Sequence, residues 1–494
     1  MTEIIIGVDI GTGSTKAIAF DIKSTTILDS VHQCYPTDYH GNQHEQDPLS
    51  VYHAFKKACR TLTTRLPPHK LAAIVFSSAL HSLLAVDKMG NPLTPCIIWS
   101  DSRSNKQAGI IRANQKADEI YRQTGTPIHP MSPLCKIAHI RQTLPEIFRK
   151  THKFISIKAY ILHKLGHEFL VDHSLASATG LFDIEKLQWH DYALETAGTS
   201  PEHLSHPVPT THLLKVKTNE ETRSLGISEG TPIIIGGGDG PMANLGSLTL
   251  EKNQGCLTLG TSGAVRVTSE KILKDPSKRI FNYIIDHQLY AAGGAVNNGG
   301  IVLNWLQTLF MNQSKDGKDY HKLLAEAAAV SPGSEGLIFL PWILGERAPV
   351  WDTEVKGIYY GISLHHQPQH FMRSGLEGIG FNLLNIAKII QQLSGKIEKI
   401  NFNGGLARSE FFCQMLADIF GVEINVIPQV DLSAYGAIVL ALKALGYINN
   451  FDQAPELNKQ LLVFYPNPEH AEIYQKNFEG FMELLAFNSA GSGT

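Results

Sequence analysis

The sequence has no long hydrophobic run. No stretch of 18 apolar residues occurs anywhere in its 494 residues. A transmembrane helix needs about 20 such residues, so we expect no membrane partner. The first residues also lack a basic segment followed by a long apolar one, and we therefore expect no signal peptide.

The sequence also lacks an excess of charge of one sign and lacks paired cysteines. Its 43 basic and 46 acidic residues give a net charge of −3, which makes a broad nucleic-acid surface improbable, so no nucleic-acid partner is expected. Six cysteines are scattered without a CxxC pair. This usage gives no zinc signature and suits a reduced, cytoplasmic protein.

Two common nucleotide-binding motifs are missing as well. The chain begins with an apolar run, Ile4 to Val8, followed by a glycine-rich turn and a second apolar run, 17–20. The turn is not a Walker A loop, and the third glycine of a Rossmann fingerprint is absent. The pattern predicts a β-hairpin whose tip presents backbone N–H groups, hydroxyls and a cation. Its candidate phosphate-binding and metal-facing residues are Asp9, Thr12, Gly13, Ser14 and Lys16. An ordinary glycine-rich hairpin is the alternative.

The same strand–turn–strand pattern returns about half a chain later. Cys256 to Val267 contains the turn Gly260-Thr261-Ser262-Gly263, which echoes the first hairpin. The echo indicates a weak internal duplication. Two such hairpins facing each other would clamp a polyphosphate, with Gly260, Thr261 and Gly263 at the second tip.

A single carboxylate follows a third buried strand. The run 232–235 leads into Gly236-Gly237-Gly238-Asp239. An aspartate held by permissive backbone at a strand end suits a general base acting on a hydroxyl. A glycine-rich turn with Asp239 as a helix cap is the alternative.

Polar side chains also follow two strands predicted over 71–77 and 97–99. His81 comes after the first strand, and Trp99, Asp101 and Arg103 come at the end of the second. Such residues suit a polyhydroxylated, anionic small molecule, because arginine matches a carboxylate and aspartate accepts from hydroxyls. A solvated loop with a local Asp–Arg pair is the alternative.

Further segments complete the outline. The pattern predicts one helix over 105–125, and it favours close packing or a turn over catalysis for 172–180. A strand over 397–402 runs into Gly404, Gly405 and Arg408, where a flat ligand such as adenosine has room against the backbone; an ordinary strand-to-helix turn is the alternative. Residues 489–494 are predicted to form a flexible tail.

Together these motifs resemble the FGGY carbohydrate kinases of the actin/hexokinase/Hsp70 ATPase superfamily. The resemblance rests on four elements, 9–16, 236–239, 259–263 and 403–409, and covers residues 4 to about 450. Two family signature patterns are present imperfectly, at 131–139 with His139 where tryptophan is usual, and at 357–377 with Gly375 where another small or aliphatic residue is usual.

The resemblance implies an α/β fold of two RNase H-like domains with a central cleft. The implied domains are 1–248, with the sugar site and first phosphate loop, 249–450, which binds nucleotide, and 451–494, a C-terminal helix and tail. The resemblance also implies ATP and Mg²⁺ as cofactors, Asp239 as general base, and Asp9 and Asp239 as metal-facing residues. A homodimer is left open.

Within the family, the sequence most resembles the gluconate kinases, through 77–82, 99–103, 125–134, 171–180 and Pro349. This resemblance implies phosphorylation of a sugar acid on its terminal hydroxyl, with Arg103 as the candidate partner of the acid group. A xylulose kinase, or a kinase for another ketose or polyol, is the first alternative. An ATPase of the superfamily or a non-catalytic sugar sensor is the alternative from another class.

Overall fold

The computed structural model describes residues 2–66, 69–311, 320–427, 431–457 and 461–491. The strands before residue 240 are β1 (Thr2–Ile10), β2 (Ser14–Asp21), β3 (Thr26–Cys34), β4 (Asp38–His40), β5 (Gln43–Gln46), β6 (His69–Ser78), β7 (Leu84–Val86), β8 (Cys96–Ile97), β9 (Lys153–Ile155), β10 (Leu170–Asp172), β11 (Phe182–Asp183), β12 (Gln188–Trp189), β13 (His206–Val208), β14 (Leu213–Lys215) and β15 (Pro232–Gly238). The helices of this part are α1 (Pro48–Arg65), α2 (Asn105–Arg112), α3 (Ala117–Thr124), α4 (Pro133–Thr143), α5 (Pro145–Lys150), α6 (Ile157–Lys164), α7 (His173–Ser177), α8 (Asp191–Ala197), α9 (Glu220–Ser224) and α10 (Asp239–Gly246).

The later strands are β16 (Gln254–Leu259), β17 (Gly263–Ser269), β18 (Phe281–Asp286), β19 (Leu289–Val296), β20 (Ile338–Leu340), β21 (Ile358–Tyr360), β22 (Lys399–Gly404), β23 (Glu423–Val426) and β24 (Leu462–Phe464). The later helices are α11 (Ile301–Met311), α12 (Tyr320–Ala328), α13 (Pro368–Ser394), α14 (Glu410–Phe420), α15 (Leu432–Ala444) and α16 (Ala471–Gly491). Short 3₁₀ turns occur at Pro201–His203, Ser334–Gly336, Gly405–Arg408, Phe451–Gln453 and Pro468–His470.

Two large mixed sheets organise the chain, and they share one topology. In the first, the order is β14-β15-β6-β1-β2-β3, with β1, β6 and β15 parallel and β2 and β3 antiparallel. In the second, the order is β18-β19-β17-β16-β22-β23-β24, with β16, β22 and β23 parallel. Each sheet therefore joins antiparallel strands, β1-β2-β3 in the first and β16-β17-β19-β18 in the second, to parallel strands. This repeat confirms the predicted α/β fold of two RNase H-like halves.

Helix α1, which begins directly after Asp47, shows how local sequence signals build the first half. The Asp47 carboxylate accepts from the backbone N–H groups of Leu49 and Ser50, at 3.1 and 3.0 Å, and Pro48 occupies the first helical turn. Apolar residues at helical spacing, including Val51, Phe55 and Leu62, are buried. This face packs against one side of the first sheet.

The other side of the first sheet is covered partly by the second half of the chain. Helix α15 buries Ile438 and neighbouring apolar residues in one cluster with Ile5 of β1 and Val75 of β6. Helix α10 joins the same cluster through Met242 and Leu245. The two halves thus share a core here, and the predicted boundary at 248 stays a prediction.

Two sequence predictions of local structure are corrected. The helix predicted over 105–125 is two helices, α2 and α3, because the Asn114 side chain accepts from the Lys116 N–H at 2.9 Å and competes with the helical hydrogen bonds. The predicted end at Gly125 is confirmed, since Gly125 caps α3 with φ 66°. The predicted tail is helical through Gly491 in α16, and 492–494 lie outside the described residues.

Candidate active site

A cavity of about 640 Å³ lies between the two halves. Its size suits a small-molecule site, since ligand pockets span about 300–1,000 Å³. Residues of both sheets line it: Asp9, Thr12, Gly13, Lys16, Thr37, Tyr39, Leu80, His81, Trp99, Met131, Asp239, Gly240, Ala243, Thr258 to Ala264, Arg266, Phe281, Tyr283, Ala295, Arg347, Trp351, Asn403, Gly404 and Asp431 to Ser433. The structure therefore brings most of the predicted site residues to one cavity.

The first hairpin enters the cavity with its tip held in place. The Gly11 N–H donates to the Ser14 carbonyl at 3.0 Å, which closes the turn between β1 and β2. The Tyr35 hydroxyl donates to the Gly11 carbonyl at 2.5 Å, and the Gln46 side chain donates to the Thr12 carbonyl. The tip is therefore pre-organised. Ser14 itself is not among the lining residues, because it belongs to β2 and pairs there with Cys34.

The second hairpin faces the first across the cavity. The Gly260 N–H donates to the Ser262 carbonyl at 2.9 Å, which closes the turn between β16 and β17. The start of α11 supports the tip from behind, because the N–H groups of Gly300 and Ile301 donate to the carbonyls of Gly260 and Thr261, at 2.8 and 3.1 Å. The turns of the two hairpins thus line the same cavity, which is the arrangement that the repeat in the sequence predicts.

Gly404 brings the end of β22 close to the second hairpin. Its φ is 133°, and a Cβ there would lie 2.0 Å from the Leu259 carbonyl oxygen. Only glycine fits this approach. Asn403 and Gly404 line the cavity, whereas Gly405 and Arg408 belong to the exposed turn that follows and do not line it.

Three carboxylates gather where the two halves meet. Asp9 is 6% exposed at the end of β1 and accepts from the Ser77 hydroxyl at 2.7 Å. Burial, and then the neighbouring Asp431 and Asp239, raise the pKa of Asp9 well above its usual range. Lys16 contacts Asp431 at 2.7 Å, so part of this negative charge is balanced by the first hairpin itself.

Asp239 stands at the first turn of α10, directly after a bulge in β15. Its Oδ1 accepts from the Gly240 N–H at 2.8 Å and from the Leu80 N–H at 3.4 Å. Burial raises the pKa of Asp239, while those N–H groups and Arg266 oppose the rise. A carboxylate with a raised pKa, facing a cavity, suits proton abstraction from a hydroxyl.

His81 forms part of the cavity wall and is held in a left-handed conformation with φ 64°. Its Nδ1 donates to the Ala178 carbonyl at 2.8 Å, and its Nε2 faces the Tyr283 hydroxyl at 3.3 Å. Its own carbonyl accepts from buried Lys136 at 2.6 Å. Burial lowers the pKa of His81 to about 3, so it is a neutral hydrogen-bonding group at physiological pH.

Trp99 and Arg347 form a second part of this wall. The Arg347 guanidinium lies 4.4 Å from the centre of the Trp99 ring, and the indole N–H donates to the Thr12 hydroxyl at 3.0 Å. Arg347 also donates to Asn297 Oδ1 and to the Val296 carbonyl, both at 2.9 Å. Burial lowers the pKa of Arg347 to about 10, which leaves it charged near neutral pH. A cation thus faces the cavity beside the first hairpin.

Asp101 and Arg103 do not lie with the other predicted site residues, and the role of Arg103 in binding the ligand stays a prediction. The Arg103 Nε and Nη2 donate to Asp101 at 2.7 to 3.0 Å, and Nη2 also contacts Glu45 at 2.7 Å. Asp101 in turn accepts from the His44 N–H at 2.8 Å. Neither residue lines the cavity. The local Asp–Arg pair, the alternative left open by the sequence, is what the fold contains.

Sequence reasoning missed Arg266, Tyr283, Arg347 and Asp431. Arg347 lay in the stretch before Pro349, where the family resemblance offered a signal. Asp431 had a helix-cap signal, since its Oδ1 accepts from the Ala434 N–H at 2.8 Å at the start of α15. Arg266 and Tyr283 are in ordinary strand patterns, and only the fold shows that they face the cavity.

No three His, Cys, Asp or Glu side chains in the described ranges are grouped closely enough to hold a metal ion by themselves. No helix among the residues described is both long and apolar enough to cross a bilayer.

Comparison with known proteins places this architecture in a family. The chain is 38% identical to the gluconokinase of Bacillus subtilis over 98% of this chain and 96% of that relative. The crystal structure of gluconate kinase from Lactobacillus acidophilus has a TM-score of 0.91 at 34% identity, covering 98% of each chain. That of a ligand-bound xylulose kinase from the same species has a TM-score of 0.93 at 33% identity, covering 99% of each chain.

The family profiles divide the chain as the two sheets do. Residues 4–246 match the N-terminal domain of the FGGY family of carbohydrate kinases, and residues 255–445 match its C-terminal domain. With these matches and relatives of similar length, the chain belongs to the FGGY family of carbohydrate kinases.

Proposed function

We propose that this chain transfers the γ-phosphoryl group of ATP to the terminal hydroxyl of gluconate, giving 6-phosphogluconate and ADP. The observation that carries the proposal is the single cavity in which two phosphate-type hairpins, the carboxylate of Asp239 and a cationic wall converge. The similarity to gluconokinase supports the choice of substrate. Consumption of ATP and the unpaired cysteines favour the cytoplasm as the place of action.

In this reaction the two hairpins hold the nucleotide phosphates. Thr12 and Gly13 of the first hairpin and Gly260, Thr261 and Gly263 of the second present N–H groups and hydroxyls to the polyphosphate. Gly404 and the turn after it provide the surface for adenosine. Most of the rate enhancement is expected from positioning and charge stabilisation, because phosphoryl transfer asks little covalent chemistry of the protein.

Asp239 acts as the general base. It accepts the proton of the sugar hydroxyl as that oxygen bonds to the γ-phosphorus and the bond to the β-phosphate oxygen breaks. Its raised pKa makes it a better proton acceptor than an exposed aspartate. Arg266, whose charge stabilises the Asp239 carboxylate, is placed to face the transferred phosphoryl group.

The residues fit a bound Mg²⁺ ion beside the phosphates. Asp9 has a raised pKa because Asp431 and Asp239 lie near it in a buried setting, and a divalent cation would relieve this repulsion. Mg²⁺ commonly takes one or two carboxylates, with waters and phosphate oxygens completing its shell, so a ready-made cluster of three ligands is not required. Asp9 and Asp239 would hold the ion, which supplies charge neutralisation at the phosphates.

The cavity wall also favours an acidic sugar. Arg347 keeps its charge, faces the cavity and is oriented by Asn297 and Trp99. A guanidinium held in this way suits a carboxylate. We therefore place the carboxylate of gluconate against Arg347, and not against Arg103, which does not line the cavity and already pairs with Asp101 and Glu45. His81 and Tyr283 would contact the sugar hydroxyls.

A second candidate is phosphorylation of xylulose. The structural similarity to a xylulose kinase is as high as that to a gluconate kinase, with TM-scores of 0.93 and 0.91. The two candidates share Asp239 and both hairpins. The difference between them therefore lies in the part of the cavity wall formed by His81, Trp99 and Arg347, which we call the sugar wall.

Sugar-dependent release of ADP tests the proposed reaction. A coupled assay with ATP, Mg²⁺ and a panel of sugar acids, ketoses and polyols should show ADP release that requires a sugar and is fastest with gluconate. ADP release without any sugar would indicate an ATPase, and none with any sugar would indicate a sensor. Either result would contradict the proposal.

A further inference from the structure

The short helix α7 is more than packing. Its flanking residue Asp172 and its residues Ser174 and Ser177 are all fully buried, although each carries a polar side chain. Buried polar groups are normally retained only with hydrogen-bond partners, so the partners show what the segment holds.

At its beginning, α7 contacts the backbone that carries Asp239. The buried ammonium of Lys158 lies 2.6 Å from Asp172 and donates to the Gly237 carbonyl at 3.1 Å. Asp172 caps α7 by accepting from the Leu175 N–H at 2.9 Å. Ser174 accepts from the Gly238 N–H at 3.1 Å. The carbonyl and the N–H of the Gly237–Gly238 peptide group, one residue before Asp239, are therefore both held by side chains.

These contacts occur directly after a bulge in β15. The pairing of β15 with β6 shifts register between Ile234 and Gly237. Gly236 has φ 72°, and a Cβ there would lie 1.7 Å from the Phe76 carbonyl oxygen. A bulge of this kind re-aims the following residues and breaks the regular ladder. Beyond the bulge β15 pairs again with β6, at Gly237 and Gly238, but the pairing with β14 covers only Pro232 to Ile234. Lys158 and Ser174 act on the part of β15 that β14 does not reach.

At its other end, α7 contacts the sugar wall. The carbonyl of Ala178, which caps the helix, accepts from His81 Nδ1 at 2.8 Å. Ser177 accepts from the Ile284 N–H at 3.0 Å, and the adjacent Tyr283 reaches His81 Nε2 at 3.3 Å. One short helix thus joins the backbone before Asp239 to the side chain of His81.

We propose that α7 and Lys158 form a positioning element that fixes the Asp239 carboxylate relative to the sugar wall at His81. Ser174 and Lys158 are positioning residues, since they act on the Gly237–Gly238 peptide group and do not line the cavity. The proposal rests on the proposed role of Asp239 as base.

Ser174→Ala tests the positioning proposal with a small structural change, because it removes one hydrogen-bond acceptor and creates no buried charge. Misplacement of a reacting group by about 1 Å costs on the order of 100-fold in rate, so a smaller shift should lower kcat by about 10-fold or more. The KM for ATP should stay unchanged. Ser334→Ala is the matched control, since Ser334 is equally buried and hydrogen-bonded but contacts Glu377 away from the cavity.

A double-mutant cycle with Asp239→Asn separates positioning from a general structural effect. If Ser174 acts through Asp239, adding Ser174→Ala to Asp239→Asn should cause no further loss of kcat. Losses that multiply, or a kcat for Ser174→Ala equal to that of the control, would overturn the proposal. Near-normal turnover of Asp239→Asn alone would instead refute the base, a separate result. Should Ser174→Ala fold poorly, Ser174→Cys keeps a weak acceptor and should give an intermediate kcat; a kcat equal to that of the control would count against the proposal.

Discussion

At the scale of single residues, the site is defined by charges whose burial is unfavourable for the protein alone. Asp9 and Asp239 both have raised pKa values because they are buried, and in the case of Asp9 also because other carboxylates are near. Natural sites often retain such groups at a cost in stability when a ligand makes them useful.

The raised pKa of Asp239 sets the acidic limit of activity. The base must be deprotonated, so kcat/KM should fall as the pH drops through a value above the usual aspartate pKa of about 3.9. A pH profile of kcat/KM measures this limb. The Asp239→Asn variant binds the same ATP. A fall of kcat/KM at acidic pH that persists in this variant therefore comes from protonation of ATP and not of Asp239. An identical limb in both proteins would contradict the role of Asp239.

The raised pKa of Asp9 predicts that this residue lowers the stability of the folded protein, although activity requires it. A carboxyl group whose pKa is higher in the folded state makes stability fall as the pH rises from the unfolded pKa through the folded one. Asp9→Asn should therefore raise the free energy of unfolding near neutral pH, without Mg²⁺, by about 1 kcal/mol or more, while activity is lost. Thermal unfolding measures the gain, which should vanish at strongly acidic pH.

Asp101→Asn is the control for Asp9. It replaces the carboxylate partner of Arg103 and should lower the free energy of unfolding by about 1–3 kcal/mol, because the mostly buried guanidinium loses charge-assisted hydrogen bonds and keeps only Glu45 as an acidic partner. An Asp9→Asn variant that is as destabilised as this control would contradict our account of the carboxylate cluster.

The two arginines near the sugar wall should differ in their effect on substrate binding. Arg347→Lys should raise the KM for gluconate by about 10-fold or more, since a lysine cannot reproduce the oriented, planar fork. Arg103→Lys should lower the melting temperature and change that KM little, because Arg103 does not line the cavity. Steady-state kinetics of both variants measure these KM values. A larger rise in the KM for gluconate with Arg103→Lys than with Arg347→Lys would assign the carboxylate to Arg103.

At the scale of the elements, the local parts of the fold were predictable and the distant ones were not. The hairpin over 4–20, helix α1 and the turn before Asp239 follow from apolar runs, a cap and glycines within a few residues of each other. The placement of α15 on the first sheet does not, because it joins residues more than 400 positions apart. For the same reason, the sequence alone did not predict that Tyr283 and Arg347 line the cavity.

Adjacent glycines in the predicted adenosine turn should respond differently to substitution. Gly404→Ala should lower the free energy of unfolding by about 1–3 kcal/mol, since its Cβ would overlap the Leu259 carbonyl. Gly405→Ala is the matched variant, since a Cβ there meets nothing within 4 Å. It should leave stability unchanged and raise the KM for ATP if adenosine lies on this turn. Thermal unfolding and ATP kinetics decide between them, and equal destabilisation would contradict the structure at Gly404.

At the scale of the whole molecule, duplication explains why one cavity serves two ligands. Each sheet contributes a hairpin at the same topological position, and both tips line the cavity together with Asp239. In the proposed function the hairpins would hold the nucleotide and would carry no information about the sugar. The choice of sugar would depend on the wall built by His81, Trp99 and Arg347, which only the folded chain assembles.

The most direct test of the central claim is the ratio of kcat/KM for gluconate to that for xylulose, measured on one preparation with ATP and Mg²⁺. Our account predicts a ratio of about 10 or more, because a correctly placed charge-assisted pair at Arg347 contributes more than 1.4 kcal/mol, a factor of ten. The product formed from gluconate should carry the phosphoryl group on its terminal hydroxyl oxygen. A ratio below one would contradict the account and identify the chain as a ketose kinase.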